Sequence, residues 1–82
     1  MAVELILYTT LGCTLCEKAK PEIWPVVEMF GLRLRQVDIA EDDELMERFS
    51  RSIPVVGLGD PEDTCPWPFT RTQLAEWVST RL

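Results

Sequence analysis

Leu5-Ile6-Leu7-Tyr8-Thr9-Thr10-Leu11-Gly12-Cys13-Thr14-Leu15-Cys16 decides how this chain is read. Val3 to Thr9 has the pattern of a β-strand, with apolar residues on both parities: Val3, Leu5 and Leu7 on one, Ile6 and Tyr8 on the other. A strand apolar on both faces is usually central and covered by helices on each side. Gly12 ends the connection, and a helical pattern starts at about Thr14. A Cys-x-x-Cys pair therefore stands where a strand hands over to a helix. A helix N-terminus presents unpaired N–H groups and roughly half a positive charge. That field stabilises a thiolate, the reactive form of cysteine. Two such thiols one turn apart can open and close a disulfide.

Working outward, Leu15, Ala19, Ile23, Val26, Val27 and Phe30 recur at helical spacing up to Phe30. Pro21 and Pro25 each remove an N–H and strain the preceding turn, which predicts a kinked helix or two abutting pieces. Gly31 is a natural stop. Leu32 to Ile39 reads as a second strand, and the strand–helix–strand order implies parallel pairing with a right-handed crossover. Glu41-Asp42-Asp43-Glu44 opens a short helix with Leu45, Met46 and Phe49 inward. Its acids suit a helix start and are read as solvated, not as metal ligands. Ile53-Pro54-Val55-Val56 begins a third strand, Gly59 to Asp63 is a turn, and Asp63 to Trp67 is a short fourth strand. Gly57 to Trp67 thus forms a hairpin. Thr70-x-x-Gln73 is a capping box, and Leu74, Trp77, Val78 and Leu82 form the stripe of a last helix. The order gives a small α/β layer structure over residues 1–82, as one domain.

Composition removes several function classes. Eight Lys and Arg stand against 14 Asp and Glu, a net charge of −6, which argues against a phosphate-binding surface and nucleic acid. No apolar run approaches the ~20 residues of a membrane span. The N-terminus lacks the basic and apolar regions of a signal peptide. There is no histidine, so His-based acid–base work, Cys–His proteolysis and Cys/His zinc sites fall away. Three cysteines cannot close a Cys₄ zinc site in one chain. A Cys₃ site with a carboxylate, or one shared across a dimer, is the remaining metal option, and no metal ligand is assigned. The odd cysteine count fits a cytoplasmic location better than a secreted disulfide scaffold.

The run Tyr8 to Lys20, together with Val37-Asp38-Ile39, Ser52-Ile53-Pro54-Val55-Val56 and Trp67-Pro68-Phe69, resembles the glutaredoxin-like family of small bacterial domains. The resemblance covers nearly the whole chain. It implies a thioredoxin/glutaredoxin-like fold, with a four-stranded mixed sheet in strand order 2-1-3-4 flanked by three helices. It makes Cys13 the exposed nucleophile, Cys16 the buried resolving cysteine, and Pro54 a cis-proline against the pair. The backbone of Ile53 would then face the sulfur atoms and pair with an extended substrate. Thr14, Leu15, Ile53, Trp67 and Phe69 are the substrate-contact candidates that follow. Trp67 and Phe69 read equally well as core plugs.

The implied activity is that of a thiol–disulfide oxidoreductase, acting as a monomer on protein or small-molecule disulfides and thiols. No cofactor is implied, with glutathione as the candidate reductant. Two departures weigh against a glutathione site. Thr10 stands where glutaredoxins often carry lysine, and Trp67-Pro68-Phe69-Thr70 stands in place of a Gly-Gly segment. The alternative reading is a non-enzymatic redox sensor, a metal or iron–sulfur module, or a protein-interaction domain on the same fold. Lys18 and Lys20 read as solvated helix positions, Cys65 as a half-buried structural thiol, and Trp24 and Trp77 as core or boundary residues.

Overall fold

A computed structural model describes residues 3–82. The elements are β1 (Glu4–Thr9), α1 (Thr14–Phe30), β2 (Arg33–Asp38), a 3₁₀ turn (Ile39–Glu41), α2 (Asp43–Phe49), β3 (Val55–Gly57), β4 (Thr64–Pro66) and α3 (Arg71–Ser79). They build one four-stranded sheet in the order β2-β1-β3-β4. β1 runs parallel to β2, with Glu4 beside Arg33 and Thr9 beside Asp38. β3 pairs antiparallel with β1 and with β4. The mixed sheet and three α-helices are those the sequence implies.

Alternation along β1 sends side chains into two separate cores. Leu5 and Leu7 pack with Ala19, Ile23, Val26 and Val27 of α1 and with Leu74 and Val78 of α3. Ile6 and Tyr8 point the other way, toward Ile39, Phe49 and Val55. β3 repeats the device, with Val56 in the first core and Val55 in the second. On the second face, the Tyr8 and Phe49 rings lie 4.7 Å apart. Burying each large apolar side chain is worth ~1.5–3 kcal/mol relative to leaving it exposed. The two-sided β1 therefore holds both helix layers to one sheet.

α1 differs from expectation at its prolines. It is one unbroken helix across Pro21 and Pro25. The missing donors would have bonded the carbonyls of Glu17 and Pro21, and both of those residues are exposed. Solvent is at hand on that side, while Cys16, Ala19, Ile23, Val26 and Val27 are buried on the other. Gly31 closes the helix at φ 64°, where a side chain would be strained, and its N–H reaches the Glu28 carbonyl. α2 also differs. Phe49 is buried and Leu45 half-buried, but Met46 is 38% exposed and does not point inward. A helix this short presents too narrow a face for three neighbouring apolar side chains. Trp24 and Leu82 likewise lie toward solvent, not in the core or its boundary stripe. α3 opens with both halves of its capping box in place.

The corrected face of α2 is open to measurement. Phe49→Ala is expected to cost ~3–5 kcal/mol in urea unfolding, and Met46→Ala less than about 1 kcal/mol. Comparable losses for the two would place Met46 back in the core.

Candidate active site

Gly12 turns the chain out of β1 at φ 77°, and Cys13 follows as the N-cap of α1. Its backbone is extended, at φ −80° and ψ 103°. Its Sγ accepts a hydrogen bond from the Cys16 N–H at 3.0 Å. A sulfur thus occupies the place usually held by a Ser or Asp cap oxygen, and one orphan N–H of the helix is aimed at it. Cys16 lies one turn on, with the two Cα atoms 5.3 Å apart and the Sγ atoms at disulfide distance. The two sulfurs are not equivalent. Cys13 is half-buried, whereas Cys16 is 2% exposed. Cys13 is the more accessible sulfur of the two.

Strand register places the other candidates. Val55 stands opposite Tyr8, so Pro54 lies at the sheet end from which the Cys13 loop departs. The Ile53–Pro54 peptide bond is cis, and Pro54 is buried. Its carbonyl accepts from the Trp67 N–H at 3.0 Å, tying the start of β3 to the end of β4. The Ile53 N–H donates to the Phe49 carbonyl at 3.2 Å, closing the end of α2. This corrects the expectation that the Ile53 N–H faces a substrate, because that donor is already engaged. Thr14 and Leu15 are exposed beside the pair. Trp67 is half-buried and meets Phe69 edge-on at 5.2 Å. Phe69 itself is 5% exposed within the first core, so it is a plug and not a surface a substrate can touch.

A groove of about 380 Å³ borders Cys13, lined by Thr9 to Thr14 with Glu17, Lys20 and Gln36. Glu17, Lys20, Gln36 and Leu11 are not among the site residues read from the sequence; Lys20, read there as a solvated helix position, instead lines the groove with its side chain 27% exposed. The signal was present for two of them. Cys13, Glu17 and Lys20 follow an i, i+4, i+7 spacing, which puts them on one helix face. Lys20 Nζ lies 3.1 Å from Glu17 Oε1.

Cys65, the free thiol, is half-buried on β4 opposite Val56. Burial raises its pKa above the ordinary 9.0, opposed in part by the positive charge of Arg81. Arg81 in turn holds Asp63 through two hydrogen bonds, of 2.7 and 2.8 Å, and lies over the Trp77 ring. Among the described residues no three Cys, Asp or Glu side chains gather as a metal cage. No helix among them is long and apolar enough to cross a membrane.

With this geometry in place, comparison identifies the lineage. The chain belongs to the glutaredoxin-like domain family (DUF836), which matches residues 4–79. No curated protein matches it. Among solved structures it is similar to the structural-genomics target protein XcR50 from X. campestris. That match has 27% identity and a TM-score of 0.74, and covers 93% of this chain and 96% of the other. A protein described as malarial shares the fold at 17% identity and a TM-score of 0.69, covering 100% and 99% of the two chains. Thioredoxin 1 from Thermosipho africanus TCF52B does so at 15% and 0.68, covering 95% and 92%.

The Cys65 thiol carries a pH consequence. The folded state holds this proton more tightly than the unfolded chain, so its contribution is fully present below about pH 9 and is lost as pH rises through the raised value. Tyr8, also raised by burial from 10.0, acts in the same direction. Cys65→Ala is expected to flatten part of the alkaline decline in urea midpoint, and an unchanged slope would count against this assignment.

Proposed function

We propose that this chain is a thiol–disulfide oxidoreductase in which Cys13 attacks and Cys16 resolves. The observation that carries the reading is the capping sulfur: Cys13 Sγ receives a helix N–H at 3.0 Å while Cys16 waits buried at disulfide distance. The helix N-terminus supplies a backbone donor and a positive field to a Cys13 thiolate once the pair is reduced. In the reduced protein, that thiolate attacks a substrate disulfide and forms a mixed disulfide, releasing one thiolate. Cys16 then attacks Cys13 Sγ, frees the second substrate thiol and leaves the Cys13–Cys16 disulfide. An external thiol pair returns the protein to its reduced form, and the sequence runs in either direction.

Pro54 walls the sheet end beside this chemistry, and Leu15, Thr14 and Trp67 supply the neighbouring surface. The reading places the protein in a cytoplasm-like compartment, as a monomer on protein or small-molecule disulfides. Glutathione is the weaker reductant under this reading. Position 10 is a threonine, and Phe69 and half-buried Trp67 occupy the segment where a Gly-Gly turn would open room.

The test is turnover of a model disulfide by the full chain. Cys13→Ser is expected to lower the rate by more than about a hundredfold. Cys16→Ser is expected to complete the first step and accumulate a mixed disulfide visible by mass spectrometry. Wild-type turnover in Cys13→Ser would remove the assignment.

A further inference from the structure

The groove beside Cys13 has a charge pattern that narrows the substrate. Its volume of about 380 Å³ is at the small end for ligand sites, which run ~300–1,000 Å³. Cys13 lines it, and Glu17 and Lys20 follow along the same face of α1. The pair is asymmetric. The Glu17 side chain is 71% exposed, whereas that of Lys20 is 27% exposed and drawn into the groove. An ordinary surface pair would leave both ends in water and contribute little. Here a cation is held against the groove wall with a carboxylate at its rim.

We propose that this groove is a subsite for a low-molecular-weight disulfide whose carrier bears both an ammonium and a carboxylate, as an α-amino-acid head does. The inference rests on the exchange chemistry proposed above. An anionic head meets Glu17 and the protein's net charge of −6. A cationic head meets Lys20. A zwitterion satisfies both, with its carboxylate on Lys20 and its ammonium on Glu17. A cysteine inside a polypeptide has neither group free, so a protein disulfide gains nothing from the pair. Leu11, 91% exposed on the lip, covers the methylene next to sulfur, and Thr10 and Gln36 offer hydrogen bonds.

The reaction balances as a two-electron exchange. Cys13 thiolate displaces one thiolate from the disulfide, and that thiolate takes a proton from water. Cys16 gives its proton to water, attacks Cys13 Sγ and displaces the second. The substrate disulfide is reduced to two thiols, and the Cys13–Cys16 dithiol is oxidised to a disulfide.

The experiment measures how fast four disulfides oxidise the full-length chain after reduction with dithiothreitol and its removal. The four are cystine (zwitterionic), hydroxyethyl disulfide (neutral), cystamine (cationic) and dithiodipropionate (anionic). Each rate is divided by that of the same disulfide with free mercaptoethanol, which removes intrinsic reactivity. The normalised cystine rate is expected to exceed the other three by about fivefold. Lys20→Met is expected to erase that advantage, and Glu17→Gln to shift preference toward dithiodipropionate. Equal normalised rates in the wild type, or one common factor lost for all four in Lys20→Met, would overturn the subsite while leaving the exchange reading intact. Failure of all four to oxidise the protein would remove the exchange reading and the subsite together.

Discussion

Everything in this domain hangs on β1 being apolar on both faces. One strand takes Leu5 and Leu7 into a core with α1 and α3, and Ile6 and Tyr8 into a core with α2. Neither helix layer has a sheet to cover without it. A strand clamped from both sides also has a fixed end. The residues after Thr9 leave the sheet at one defined point, and Cys13 caps the helix that begins there. The geometry of the cysteine pair is thus a consequence of packing. The position of the cysteine pair is set by the strand behind it and the helix in front.

Two kinds of hydrogen-bond accounting shape the rest of the site. Cys16 donates its helix N–H to the capping Cys13 Sγ, which puts a soft acceptor in a role normally filled by oxygen. At Ile53 the reverse happens. Its N–H is spent on the Phe49 carbonyl, so the loop before β3 closes α2 and leaves fewer free groups for a visitor. The same sheet end therefore carries one sulfur made available by a backbone donor and one backbone donor made unavailable by a helix end.

The legible part of the sequence was the part written in periodicity. The two-parity run of β1, the i, i+3, i+4 stripe of α1 and the Thr70–Gln73 box each have a local physical cause, and the structure follows them except at Leu15, which is 44% exposed. What was not legible depends on neighbours. Pro21 and Pro25 argue locally for a break, but the carbonyls they strand belong to exposed residues while the opposite face is held by burial. Met46 and Phe49 look alike as apolar residues, and only the placement of α2 on the sheet separates them. Phe69 fits a core plug or a substrate surface equally well by sequence, and only its 5% exposure separates the two. The groove was hidden for a further reason. Gln36 comes from β2 and Lys20 from α1, and no local pattern says that they line one groove.

The sheet's two open edges carry one more consequence. The Trp67 N–H turns inward to Pro54, so by alternation the nitrogen of Pro66 faces the outer rim of β4, and it has no hydrogen to offer. At the opposite rim the Arg33 N–H turns inward to Val3, leaving Leu34 and Gln36 outward, with the exposed side chains of Arg33 and Arg35 alongside. One margin carries a proline that cannot donate, and the other is crowded by two arginine side chains, with Arg35 3.9 Å from Glu4. Edge-to-edge growth of the sheet into fibrils is opposed on both sides, which lets the domain keep a two-faced apolar strand at its centre without templating its own aggregation.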